Sequence, residues 1–366
     1  MRLLATVIAL SALVSSAAAQ EAGLPPPAIM REAVPGVLER AVDGFILPGY
    51  RRLEAEAGKL EEAMKGLCDA PSASALASTQ AAFTQTVMAW STIEIVRVGP
   101  VIEANRLERV LFYPDRKSTG LKQVQALLAK PEENATDADS LKGKSVAMQG
   151  LGALEFVLYG TGSEALAQET AGFRCRYGAA ISGNLEAVGH ELVTAWAAPD
   201  GIQAAWKHPG PDNPVFRTDE EAITALLGIL VHGAEAIRDQ RVETLYKGAD
   251  ARPAPKQAIY WRSGNTFTSI SANLSGLESL IDTADIKQLL DPETHSIVGS
   301  IDFVLKSLVR VTNGIGADVE AATDTPEGRA KLDFLLLNSR DLIVRLNDDL
   351  GGALGLGAGF SFSDGD

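Results

Sequence analysis

The stretch Tyr50-Arg51-Arg52-Leu53-Glu54-Ala55-Glu56-Ala57-Gly58-Lys59-Leu60-Glu61-Glu62-Ala63-Met64-Lys65-Gly66-Leu67 decides the fold. Its apolar residues Leu53, Ala57, Leu60, Met64 and Leu67 recur at steps of three and four, with charged residues between them. Residues 50–67 are therefore expected to form one amphipathic helix with a single apolar face. A strand would place apolar side chains at every second position, and this stretch does not.

The same spacing returns along the chain. Phe83, Val87 and Trp90 mark a second helix, Leu151, Leu154, Glu155 and Leu158 a third, and Ile223, Leu226, Leu227, Leu230 and Ala234 a fourth. Leu332, Leu335, Leu336, Leu342, Ile343 and Leu346 define a long one near the C-terminus. No run rich in Val, Ile and Thr alternates with hairpin turns, so the pattern predicts an all-α fold packed as helical bundles. Lys207-His208-Pro209-Gly210-Pro211-Asp212-Asn213-Pro214 cannot be helix interior, because each proline removes a donor and clashes with the preceding turn. Gly248 to Lys256, with Pro253 and Pro255, is a second break. After the first, Thr218 with Glu221 three residues on forms a capping box. That break divides the chain into a first bundle over residues 20–206 and a second over 218–350. Residues 351–366 form a Gly-rich tail, expected not to be helical because each Gly costs about 1 kcal/mol relative to Ala.

A chain of 366 residues, 46% of them hydrophobic, buries a sizeable core, which excludes a mainly disordered protein. A formal charge of −14 excludes a general nucleic-acid binder, which needs a basic footprint. Met1-Arg2, the apolar run Leu3 to Val14 and the small residues Ser15 to Ala19 read as a secretory signal peptide, residues 1–19. Its removal places the protein in the periplasm or cell envelope, and no later apolar run is long enough for a transmembrane segment. In an exported protein the two cysteines, Cys68 and Cys175, are expected to pair, joining two helices of the first bundle.

Glu155 breaks the pattern of its own helix. It shares a face with Leu151, Leu154 and Leu158, which points a carboxylate into the core. A buried carboxylate needs a cation, a donor or a metal, or it stays protonated. It reads either as half of a structural ion pair with an arginine or as a ligand or base in a bundle interior. In Trp90-Ser91-Thr92-Ile93-Glu94-Ile95-Val96-Arg97, Glu94 and Arg97 stand three apart beside apolar neighbours and are expected to pair in a partly buried setting. Of the four histidines, His232 with Glu235 and His190 with Glu186 have the spacing of half a metal site. No HExxH helix, Gly-rich phosphate loop or G-x-S-x-G elbow is present.

Gly150-Leu151-Gly152-Ala153-Leu154-Glu155-Phe156-Val157-Leu158-Tyr159-Gly160 resembles the signature helix of the imelysin family, also called the M75 peptidase or iron-regulated protein A group. Arg97-Val98-Gly99-Pro100, Asn105-Arg106, Phe112-Tyr113-Pro114-Asp115, Tyr260-Trp261-Arg262-Ser263-Gly264-Asn265-Thr266, Asn273 and the closing Gly359 to Asp366 support the resemblance over nearly the whole chain. The resemblance implies two related helical bundles with a site near the crevice between them, and a link to iron uptake. The family signature is G-x-H-x-x-E. Here Gly150 and Glu155 match, but Gly152 stands at the histidine position. The expectations are a metal ion at Glu155, with iron one candidate, Arg97 as the first candidate partner of that carboxylate, and ligand contacts from Trp90, Glu94, Arg97 and Arg262. The function expected is an exported binding protein in iron or other metal acquisition. The alternatives are a metal-dependent peptidase and a helical module that binds an envelope protein partner or a small ligand in the crevice. Without the motif histidine a water-activating metal is poorly held, which argues against catalysis.

Overall fold

The structure, a computed structural model, describes residues 28–357. The signal segment 1–19 and the closing motif from Gly359 lie outside the described residues. Among the described residues there is no strand.

The chain opens with helix α1 (Val34–Arg40), which runs through a π-helical turn over Ala41–Ile46 into α2 (Leu47–Asp69). Tyr50, Leu53, Ala57, Leu60, Met64 and Leu67 are all buried, so the apolar face of the 50–67 stretch is the buried face of α2. Helix α3 (Ala73–Ile93) is capped by Ser72 and buries Phe83, Val87 and Trp90. Short helices α4 (Arg106–Val110), α5 (Thr119–Ala129) and α6 (Ala138–Lys142) lead to α7 (Leu151–Tyr159) and α8 (Phe173–Ala197). Helices α2, α3, α7 and α8 pack on one another. Cys68 at the end of α2 and Cys175 at the start of α8 form a disulfide, with Cα atoms 5.5 Å apart and 107 positions between them.

Helix α9 (Ile202–Lys207) ends at the proline-rich break. Thr218 then caps α10 (Asp219–Glu235), its Oγ1 accepting from the Glu221 amide, while the Glu221 carboxylate takes the Arg217 amide proton. Helices α11 (Thr266–Ala284), α12 (Ser296–Asn313), α13 (Val319–Asp324) and α14 (Pro326–Val344) complete a second group, in which α11 packs on α12, and α14 on both α10 and α12. Segment 34–46, early in the chain, lies against α9, α10 and α11. The two groups meet where α3 crosses α11. Gly276 permits that crossing, since a Cβ there would collide with the Thr92 carbonyl. Across it Asn273 Nδ2 donates to the Ser91 carbonyl at 2.6 Å, and Ser91 and Ser269 share a hydroxyl bond of 2.8 Å.

The tail departs from expectation. A π-helical turn over Arg345–Leu350 continues into α15 (Gly351–Leu354), and the helix ends only at Gly355, at φ +70°. Gly351 is buried, and a Cβ there would clash with the Leu356 carbonyl and press on Leu227 of α10, so close packing overrides the poor helix propensity of glycine. No described helix is long and apolar enough to cross a membrane.

Candidate functional site

Helix α7 begins where the chain has no side chain to spare: a Cβ at Gly150 would meet the carbonyls of Arg109 and Val110 at the end of α4. This contact fixes the start of α7, and Glu155 follows as a buried carboxylate, 5% exposed. Its partners come from the other half of the chain. Both the amide N–H and the hydroxyl of Ser263 donate to Glu155 Oε1, each at 2.9 Å. The loop that delivers Ser263 is bent by two left-handed residues, Tyr260 (φ +53°) and Gly264 (φ +72°). An aromatic residue adopts that conformation only where its surroundings over-determine it. Burial raises the Glu155 pKa above the ordinary carboxylate range, while the Ser263 hydrogen bonds and the charge of Arg262 pull the other way.

Arg97 does not reach Glu155. Helix α3 ends at Ile93, so Arg97 falls in the following turn. There its Nε donates to the Glu94 carbonyl at 3.3 Å, and its guanidinium lies 3.8 Å from the Glu94 carboxylate and 3.4 Å from Gln240. Glu94 itself is held by Arg241, whose Nη2 is 2.5 Å from Oε1, in a pair buried on both sides. Glu94 is thus committed to an arginine and does not share a cation with Glu155. Arg241 also stacks on the Tyr113 ring at 4.7 Å, and the Tyr113 hydroxyl meets Thr244 at 2.9 Å. Sequence reasoning missed Arg241. Its signal resembles that of Glu155: a charge on the apolar stripe Ala234, Ile237, Arg241, Leu245. Trp90 is buried beside this pair. Trp90 Nε1, Glu94 Oε2 and Arg241 Nη1 all lack a protein partner next to a cavity of about 50 Å³, which has room for a few waters.

A larger cavity of about 190 Å³ lies between the two halves. Its walls are the segment from Leu111 to Leu121, the first turns of α7 including Gly152 and Glu155, and the loop from Lys256 to Arg262. Gly152 faces open space, so a side chain at that position meets nothing within 4 Å. The Arg262 guanidinium lies over the rings of Trp261 and Phe156, at 4.3 and 5.4 Å, and burial lowers its pKa. Arg262 and Glu155 thus share the large cavity, while Trp90, Glu94 and Arg97 line the small one; Leu111 and Tyr113 touch both.

His232 takes the partner its spacing offers, Glu235, whereas His190 turns to Glu54 and not to Glu186. His190 Nδ1 meets Glu54 of α2 at 2.8 Å, and His232 meets Glu235 at 2.9 Å. Among the described residues, the one group of three metal-ligating side chains close enough to share an ion is Glu278, Asp282 and Asp302, on α11 and α12. Glu155 belongs to no such group.

Fold and cleft together define an all-helical protein of two packed bundles, with a carboxylate-bearing helix closed by a loop from the opposite half. The imelysin family model matches residues 46–346, and the chain belongs to that family. Among solved structures, an imelysin-like protein from Psychrobacter arcticum 273-4 superposes with a TM-score of 0.78 at 18% identity, over 92% of this chain and 100% of that one. A protein described as an iron-regulated protein A precursor from Parabacteroides distasonis ATCC 8503 superposes with a TM-score of 0.69 at 15% identity, over 90% and 98%. At these identities the likeness is one of fold. No curated protein matches the sequence.

Proposed function

We propose that this protein is an exported, non-enzymatic binding protein of the cell envelope, acting in iron or other metal acquisition, with its ligand in the inter-bundle cleft. The observation that carries this reading is the buried Glu155 carboxylate, clamped by Ser263 at the wall of the cavity. The leader-like residues 1–19 favour export, and a disulfide suits an oxidising compartment. A structural neighbour described as iron-regulated favours the metal context.

The residues at Glu155 do not fit a resident transition-metal site. The motif histidine is replaced by Gly152, Oε1 already accepts two hydrogen bonds, and among the described residues Glu155 belongs to no group of three metal-ligating side chains. A cargo cation at Glu155 would be a hard one, completed by other oxygen donors. The Ser263–Glu155 contact brings a hydroxyl to a carboxylate, as an acyl-transfer site requires. Here the same oxygen also accepts a hydrogen bond from the Ser263 amide, which makes the contact a clamp on the loop.

Peptides incubated with the purified protein, with and without zinc, should stay intact. Cleavage abolished by a chelator and by Glu155→Gln would overturn the non-enzymatic reading. Calorimetry with iron, zinc and calcium tests the metal half, and Glu155→Gln should remove any heat. The third reading, a cleft for a small organic ligand, is favoured by Arg262, which lines the same cavity with no carboxylate at ion-pair distance among the described residues.

A further inference from the structure

Aromatic residues make up only 6% of the chain, yet five of them, Phe112, Tyr113, Phe156, Tyr260 and Trp261, line the larger cavity. Its charged groups are unevenly engaged. Asp115 turns both carboxylate oxygens to backbone amides at the start of α5, Oδ1 accepting from Thr119 at 2.6 Å and Oδ2 from Leu121 at 3.2 Å. Glu155 accepts both donors of Ser263, and burial favours its neutral form. The three basic side chains of the wall, Arg116, Lys256 and Arg262, are freer. Lys256 has Glu320 at 3.4 Å, an exposed pair of little strength, and neither arginine has an acceptor among the described residues. Lys256, Trp261 and Arg262 line both the cavity and an open depression beside it, which places them at the mouth. There the Trp261 ring carries both cations, Arg262 at 4.3 Å and Lys256 at 5.8 Å. We propose that the cleft binds a small aromatic carboxylic acid as its anion, the ring inside among the aromatic walls and the carboxylate at the mouth, on Arg262, Lys256 and Arg116. This rests on the reading of the cleft as the ligand site and names the ligand class.

The separation of the two environments sets the ligand's shape. A carboxylate at the mouth keeps part of its hydration, so it sheds little water while gaining charge-assisted hydrogen bonds from guanidinium and ammonium groups. A cationic ligand in the same orientation would meet three basic side chains. Farther in, the walls between the rings are apolar, with Leu111, Leu121 and Val124 among them, and they favour a body that leaves water readily. Aromatic walls favour a ring over an alkyl chain of equal length, because offset-stacked and edge-to-face contacts add to the burial. An apolar cavity of about 150 Å³ holds benzene. At about 190 Å³ this one has room for a ring with a short acid side chain.

The test is calorimetry on the full mature chain with four probes: phenylpropanoate; phenylpropanol, which keeps the ring without the charge; phenethylamine, which reverses the charge; and heptanoate, which keeps the charge without the ring. Phenylpropanoate should bind at least about tenfold more tightly than each of the others, a difference of about 1.4 kcal/mol. In a variant carrying Arg116→Gln, Lys256→Gln and Arg262→Gln its advantage over phenylpropanol should disappear, with helical circular dichroism unchanged. The comparison of the four probes on the unmodified protein needs no variant to fold. No heat from phenylpropanoate, equal binding by any of the other three, or an advantage that survives in the variant overturns the inference. If phenylpropanoate fails while a metal ion gives heat that Glu155→Gln removes, the aromatic acid falls and the cleft reading stands. If all of them fail, both fall.

Discussion

Glu155 on α7 and Ser263 on the loop before α11 stand 108 residues apart in sequence, yet both donors of Ser263 lie 2.9 Å from the same carboxylate oxygen. The contact ties the signature helix of one half to a loop of the other. A second carboxylate makes a similar link, since Glu94 of the first half pairs with Arg241 of the second. The cleft is thus bounded by two cross-connections, each made through a buried acid.

Removing Glu155 tests the first. Glu155→Ala leaves the Ser263 amide and hydroxyl without their acceptor and should cost about 1–3 kcal/mol in urea unfolding. Glu155→Gln keeps an acceptor and removes the ionisation. Because burial raises the folded-state pKa, ionisation opposes folding. That penalty is absent below the ordinary carboxylate value, grows as pH rises toward the raised value, and is constant above it. Unfolding curves across this window should show Glu155→Gln gaining stability relative to the parent as pH rises. A gain that appears instead on acidification would contradict the assignment.

Arg241 tests the second. Glu94 and Arg241 are both nearly inaccessible, with side chains 4% and 3% exposed. Removing one partner leaves the other charge buried, so Arg241→Met should cost about 3–5 kcal/mol. The double variant Glu94→Leu with Arg241→Met should recover most of that loss. A double-mutant cycle with no coupling would show that the pair is not formed.

The disulfide closes a loop of 107 positions between α2 and α8. Reduction, or replacement of both cysteines by serine, should lower stability by up to about 4–5 kcal/mol in the chain-entropy account. Denaturant titrations with and without reductant measure this, and mass spectrometry of unreduced protein should find no free thiol.

Gly152 faces open space three residues before Glu155. Gly152→His should therefore fold and place an imidazole at i, i+3 from the carboxylate, so that zinc gives a calorimetric signal at least about tenfold tighter than with the parent. Equal signals from the two proteins would mean that the missing histidine is not what limits metal affinity.

Much of the architecture is legible in residue spacing alone. Leu53 to Leu67 specify the buried face of α2, and Thr218 with Glu221 marks the start of α10, because helix periodicity and capping are local properties. The anomaly of Glu155 is legible for the same reason: a charge on an apolar stripe is visible without knowing what covers the stripe. The tail is the counter-example, where Gly351 is helical in a close fit to the Leu356 carbonyl and to Leu227.

The sequence by itself determined the helices α2, α3, α7, α10 and α14, the cysteine pair and the burial of Glu155, but not the long helices α8, α11 and α12. Only the tertiary structure decided the partners. Arg97 carries the right charge and lies in a motif, but the end of α3 at Ile93 turns it toward Glu94 and Gln240. Ser263 reaches Glu155 because Tyr260 and Gly264 bend their loop back across the cleft. Arg262 enters the same cavity because Trp261 and Phe156 hold its guanidinium between them. Burial follows from the spacing of apolar residues along one helix, whereas a partner depends on how two distant segments are brought together. That placement is set by close contacts such as Gly276 on the Thr92 carbonyl, which no local pattern encodes.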